Sequence, residues 1–192
     1  VGEVPAFGEY YDDFSTIALD VNGDGRLDFI TGGWFGKTLR WRENPGSPEK
    51  PWPLHDIAAT GNIETTRAWD VDRDGEPEIV PNTPGEPLVV YTLRRDAAGK
   101  GTGEFVAHTS WPEKQGHGLG FGDVSGSGRG DFVINKGWLE APADPYTGTW
   151  VFHPEFDLGS ASVPILVADV NGDGLADIIS GNAHGYGLWW WE

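Results

Sequence analysis

The sequence predicts an all-β fold, a β-propeller of about four blades of one repeated type, and three observations predict it. The chain of 192 residues carries 29 Gly and 14 Pro, a turn-rich composition unlike that of a helical domain. One acidic loop motif recurs four times at spacings of 50, 53 and 46 residues, close to the size of a four-stranded blade. The runs that flank each copy, STIALD, RLDFIT, PEIVP, RGDFVIN, PILVAD and ADIIS, are short, β-branched and bounded by Gly or Pro, as strands are.

Composition narrows the function classes. With no Cys there are no disulfides, thiolate metal sites or Cys nucleophiles. Lys and Arg number 13 against 30 Asp and Glu, a net charge of −17, which disfavours nucleic acid and anionic membranes and favours a cation. No apolar run approaches the length of a membrane-spanning helix. A start without Met and an abrupt Trp-Trp-Trp-Glu end lead us to expect a piece of a longer chain.

The motif units are ALDVNGDGRLDFITGG (18–33), AWDVDRDGEPEIVPNT (68–83), FGDVSGSGRGDFVINK (121–136) and VADVNGDGLADIISGN (167–182). Each reads D-x-[DNS]-x-[DS]-G-x-x-[DE], with oxygen side chains at loop positions 1, 3, 5 and 9 and a Gly at position 6 for a tight reversal. At these four positions the loops hold 12 of the 30 carboxylates. Hard oxygen donors in a flexible loop suit Ca²⁺. The expected ligands are Asp20, Asn22, Asp24 and Asp28 in the first unit and Asp70, Asp72, Asp74 and Glu78 in the second. They are Asp123, Ser125, Ser127 and Asp131 in the third, and Asp169, Asn171, Asp173 and Asp177 in the fourth. The third loop has only two carboxylates and is expected to be weak or empty, leaving three calcium sites. An EF-hand is excluded because position 12 holds Thr31, Pro81, Ile134 and Ser180 rather than a bidentate Glu, and the flanks are strands.

The D-x-N-x-D-G-x-x-D loop between two apolar strands, with Phe121-Gly122 before Asp123, resembles the integrin-alpha-like FG-GAP, or VCBS, repeat of calcium-binding β-propellers. The resemblance implies that Ca²⁺ ties the hairpin between the first two strands of each blade. It does not imply one activity, because relatives include adhesion modules, lectins and parts of carbohydrate-active enzymes.

Two further markers set the register. Trp-x-Glu occurs at Trp41/Glu43, Trp138/Glu140 and Trp190/Glu192, with Tyr91 in the matching place of unit two. These follow loop position 9 by 13 residues, except Trp138, which follows by 7, so unit three is about six residues shorter in one loop. A His precedes the next leading Asp by 15 or 16 residues at His55, His108 and His153, a regularity that points to packing at a blade edge. Blades are thus expected near 12–61, 62–114, 115–157 and 158–192, the last without an outer strand. Either Val1 to Gly8 supplies that strand and closes a ring, or the chain is part of a larger propeller; the second is expected, because the family's usual ring has more than four blades.

Strand alternation places the remaining loops opposite the metal hairpins. Tyr11, Trp34, Arg67, His117, His184 and Tyr186 fall there, a mixture suited to stacking on sugar rings and bonding hydroxyls. His117 and His184 also stand outside the outer-strand His pattern. No nucleophile elbow, HExxH or phosphate loop is present. The expected function is an exported, calcium-stabilised binding or scaffold module for a glycan or protein ligand. The alternatives are part of a polysaccharide lyase or hydrolase, with His117 or His184, Arg67 and Tyr11 or Tyr186 as an acid–base set, and a purely structural propeller segment.

Overall fold

The computed structural model describes residue 4 and residues 6–192, residue 7 by its backbone alone. Every regular element among the described residues is a β-strand, and no helix is long and apolar enough to cross a membrane. A short hairpin pairs β1 (Ala6–Phe7) with β2 (Tyr10–Tyr11). Val1–Glu3 and Pro5 of the segment that would close a ring in the alternative reading lie outside the described residues.

Four antiparallel sheets of three or four strands follow, as expected of propeller-like blades. The first contains β3 (Ile17–Leu19), β4 (Asp28–Gly32), β5 (Thr38–Arg42) and β6 (Leu54–Ala59). The second contains β7 (Thr65–Trp69), β8 (Glu78–Asn82), β9 (Leu88–Arg95) and β10 (Gly101–Trp111). The third contains β11 (Leu119–Gly122), β12 (Asp131–Ile134), β13 (Gly137–Glu140) and β14 (Val151–His153). The fourth has three strands, β15 (Leu166–Ala168), β16 (Asp177–Gly181) and β17 (Leu188–Trp191). Within each sheet, strands adjacent in sequence are adjacent in space, and each acidic motif spans the turn between the first two strands.

By contacts the chain divides into two compact units, one reaching to Ala68 and including Glu78–Thr83 and Val89–His108, the other comprising Trp69–Pro77, Pro84–Leu88 and Thr109–Glu192. In the first, Val21, Ile30, Leu39, Ile63 and Ile79 are fully buried and form one apolar cluster with Trp41, Tyr91 and Leu93. In the second, the cluster is Val133, Trp138, Ala161, Ile165 and Ile178. There β11 and β15 approach closely: the Ile165 amide donates to the Leu119 carbonyl at 2.9 Å. A Cβ on Gly120 would lie 2.4 Å from the Ile165 oxygen, so this contact requires glycine.

The periodic Trp, Glu and His residues make one repeated clamp. Trp41 pairs across the ladder with His55, and Trp138 with His153. The rings stack with centroids 4.3 and 4.1 Å apart, and each imidazole Nε2 lies 3.0 Å from the Glu of the same Trp-x-Glu, Glu43 or Glu140. Trp138 also donates its indole N–H to Glu155 at 3.0 Å. The packing role expected for these two histidines is the one they play, and His108 lies on β10 at the matching edge. Trp190 faces Ile179 as Trp41 faces Ile30 and Trp138 faces Val133, whereas Tyr91 faces Ile79, the residue directly after position 9. The six residues absent from unit three are accounted for in the turn at Asn135–Lys136, which joins β12 to β13.

Removing one clamp loses a ring stack and a hydrogen bond, about 1–2 kcal/mol together. His55→Ala and His153→Ala should each lower the melting midpoint by roughly 2–8 °C in a domain of this size. Unchanged midpoints for both in differential scanning calorimetry would show that the clamp is ornamental.

Candidate functional site

The four acidic hairpins share one backbone conformation and one hydrogen-bond ladder. Positions 4 and 6 have positive φ in every copy: Gly23 and Gly25, Arg73 and Gly75, Gly126 and Gly128, Gly172 and Gly174. Arg73, at φ 66°, is the one non-glycine among them and donates to the Gly128 carbonyl at 2.7 Å. The position-1 carboxylate caps the turn. Asp20, Asp70, Asp123 and Asp169 accept from the position-6 amide at 2.8, 3.1, 2.8 and 2.9 Å. Position 3 accepts from the position-5 amide, as in Asn22, Asp72 and Asn171 at 3.2, 3.0 and 2.9 Å. Position 5 accepts from position 7, as in Asp24, Asp74 and Asp173 at 2.9, 2.8 and 2.8 Å. These side-chain-to-amide turns draw successive oxygens around one centre.

Donor chemistry separates the loops. Side-chain oxygens of Asp70 and Asp72 lie within 4.8 Å of one another, close enough to share a cation. In the third loop the Ser125 and Ser127 hydroxyls bond each other at 2.9 Å, and Ser125 also reaches Asp123 at 3.4 Å. Arg26, at position 7 of the first loop, forms an ion pair with Asp24. The same guanidinium donates to the Asn44 carbonyl at 2.9 Å, and Arg129 donates equivalently to the Ala141 carbonyl at 3.1 Å. Sequence reasoning expected only a backbone carbonyl ligand near position 7 and missed the role of its side chain, whose one signal is an Arg shared by units one and three.

Position 9 differs from the other three: Asp28, Glu78, Asp131 and Asp177 are all buried. Asp28 accepts amides from Val21 at 2.9 Å and Asn44 at 2.7 Å, one on each oxygen. Asp131 accepts three, from Val124 at 2.9 Å, Ser125 at 2.8 Å and Ala141 at 2.8 Å. Asp177 accepts from Val170 at 2.9 Å. The acid therefore braces the start of the loop and, in the first and third sheets, the chain just beyond the third strand. Burial pushes the Asp28 carboxyl above its ordinary value; the Asn44 and Val21 amides oppose this, and the charges of Asp24 and Asp20 add to it. A cation in the loop would pull it down again.

The residues expected on the opposite face occupy both units. In the first, Tyr11 is exposed on β2, Trp34 is half-buried with its carbonyl accepting from Asn62 at 3.0 Å, and Arg67 is half-buried on β7. Asp12 is buried and accepts the amides of Phe35 and Gly36 at 2.9 and 3.0 Å, which shapes the loop bearing Trp34. In the second unit His117 and His184 come together, their rings edge to face at 5.1 Å, while Tyr186 projects fully into solvent.

A cavity of about 540 Å³ opens within the second unit, among the loops that join β10 to β11 and β12 to β13. These lie opposite the acidic hairpin of the same sheet. Trp111 and Phe152, with centroids 5.4 Å apart, line it together with Glu113, Lys114, Asn135 and Lys136. Its walls are pinned. Gln115 exchanges backbone bonds with Gly85 and Glu86 at 2.9 Å each and donates its side-chain N–H to Pro87 at 2.9 Å. Asn135 accepts from Leu158 at 2.7 Å and donates to Gly159 at 3.1 Å. Trp111 and Phe152 were not singled out from sequence, because nothing in the repeat distinguishes them from edge-covering aromatics.

Residues 7–80 match a family model described as an FG-GAP-like repeat. No curated protein sequence matches the chain. Among solved structures, it is similar to an Agrocybe aegerita lectin described as recognising non-reducing terminal N-acetylglucosamine, at 20% identity and a TM-score of 0.49 over 91% of this chain and 51% of the lectin. It is also similar to the Tc holotoxin pore of Photorhabdus luminescens, at 17% identity and a TM-score of 0.42, over 92% of this chain and 9% of the toxin chain. The chain thus spans about half the length of the lectin.

The buried position-9 acids lead to a metal-independent prediction. An Asn at position 131 can present only one acceptor oxygen to three amides, so Asp131→Asn should cost about 1–3 kcal/mol in EGTA. Ser127→Ala, at an exposed hydroxyl, should cost under about 0.5 kcal/mol. Equal chemical-denaturation midpoints for the two variants would show that Asp131 does not brace the hairpin.

Proposed function

We propose that this chain, an FG-GAP-like repeat over residues 7–80 and a propeller-like binding module, binds glycans and is stabilised by calcium in its acidic hairpins. The observation that carries the reading is the pinned cavity of the second unit. Its aromatic pair offers flat apolar faces for sugar C–H groups, and Lys114, Asn135, Lys136 and Glu113 offer hydrogen bonds to hydroxyls. Tyr11 and Trp34 supply exposed or half-exposed aromatic surface in the first unit in the same way.

The calcium reading rests on donor chemistry. Asp20, Asn22 and Asp24, Asp70, Asp72 and Asp74, and Asp169, Asn171 and Asp173 would hold the ion, with Asp28, Glu78 and Asp177 completing each set. Bound calcium would supply neutralisation of carboxylates that otherwise repel one another. Arg26, paired with Asp24, partly supplies that charge to the first loop. The mutual hydroxyl bonds of Ser125 and Ser127 favour a weak third site. A setting outside the cell or on its surface, where calcium is plentiful, would suit such loops and is part of this proposal.

Two measurements test the two halves separately. Millimolar Ca²⁺ should raise the melting midpoint relative to EDTA, since each site adds about 2.7 kcal/mol of stability at a hundredfold excess over Kd. Asp173→Ala should remove one bound ion and Ser127→Ala none, and an identical midpoint in EDTA and calcium would end the metal assignment. On a glycan array, Trp111→Ala or Phe152→Ala should weaken binding roughly tenfold or more, as loss of an aromatic anchor does, with little change in the calcium-dependent melt. Retention of full binding by both variants would move the site elsewhere, and unsaturated or reducing-end products on uronate polysaccharides would replace binding with catalysis.

A further inference from the structure

We infer that the second unit holds a site for a late first-row divalent cation such as Zn²⁺, built on His117 and His184 and distinct from the oxygen-lined hairpins. The five histidines of the chain divide by role. His55 and His153 are committed to the Trp-x-Glu clamps, and His108 shares their outer-strand position. His117 and His184 sit instead on loops, with a ring nitrogen of one within 4.8 Å of a ring nitrogen of the other.

The hydrogen bonding of His117 determines what it can offer. Its Nδ1 lies 2.7 Å from the Ala161 carbonyl, which can only accept, so Nδ1 carries a proton and a metal ion would meet Nε2. A backbone carbonyl holding the far nitrogen of an imidazole is the outer-shell arrangement that orients metal-binding histidines and raises their basicity.

Ala161 anchors the second ligand as well. It is fully buried and forms a β-bridge with Asn182, two residues before His184. The Asn182 side chain accepts the His184 amide at 3.0 Å, and the Ala183 amide donates to Ser160 at 2.9 Å. A Cβ on Gly118 would lie 2.7 Å from that of Ala161, so glycine next to His117 is what permits the approach. Both histidines therefore hang from one rigid point.

Two imidazole nitrogens on one tetrahedral Zn²⁺ stand roughly 3.4 Å apart, from Zn–N bonds of about 2.0–2.1 Å. His184 is exposed and can close the remaining gap by rotating its side chain. Imidazole selects Zn²⁺, Ni²⁺ or Cu²⁺ over Ca²⁺, whereas the hairpins present only oxygen, so the two kinds of site do not compete for one ion. A net charge of −17 favours cation approach throughout. The two nitrogens fill two of the four positions of a tetrahedral ion.

The test is a calorimetric titration of Zn²⁺ into the whole chain with calcium present in large excess, alongside NMR of the imidazole signals. One saturable site of micromolar affinity is expected, with the His117 and His184 signals shifting and those of His55 and His153 unmoved. His184→Ala and His117→Ala should each weaken it tenfold or more. His184 is exposed, so its variant reads the site even if His117→Ala fails to fold. Absence of saturable binding below about 1 mM, or affinity unchanged in His184→Ala, overturns the inference. Neither readout depends on whether calcium or a glycan binds.

Discussion

A buried carboxylate at the start of the second strand organises each repeat. Asp28, Glu78, Asp131 and Asp177 are withdrawn from water, and such a group is tolerable only where donors replace its hydration. In the first and third sheets the donors come from two directions: the first residues of the acidic loop, and the peptide just beyond the third strand, at Asn44 or Ala141. One side chain therefore links three strands. In those two sheets an Arg at position 7 bonds the carbonyl of the same peptide group's residue, so Asn44 and Ala141 are held through both their N–H and C=O. The acidic loop is thus built on an acid already committed to the backbone.

The outer half of the blade is organised differently. Where the acid ties the inner three strands, a Trp–His stack with a Glu acceptor ties the third strand to the fourth. The first and third sheets carry both devices, so in each of them all four strands are tied by residues of the same repeat. The inner strands of the second unit then join through close backbone approach, for which Gly120 leaves room.

The two ends of each sheet differ accordingly. The hairpin end of each sheet is occupied by self-capping turns whose geometry hardly varies between copies. At the opposite end the loops differ in length and composition, and there lie the cavity at Trp111 and Phe152 and, in the same unit, the paired His117 and His184. Variation is affordable at that end because the ladder and the clamps have already set the strands.

Periodicity made the all-β repeat, the hairpin positions and the structural role of His55 and His153 legible in the sequence, because local turn chemistry and side-chain alternation act over a few residues. The short turn of unit three was legible for the same reason, from a spacing alone. Other features were not. That position 9 is a buried brace as well as a candidate ligand depends on Asn44 and Ala141, residues 16 and 10 positions away that no motif marks. That Trp111 meets Phe152, and that His117 meets His184, depends on segments brought together only when strands from different repeats pack. Sequence by itself determined which residues could carry the chemistry, since that is a property of side-chain type and spacing. Tertiary structure alone decided which of them share a site, since proximity between repeats follows from packing rather than from order along the chain.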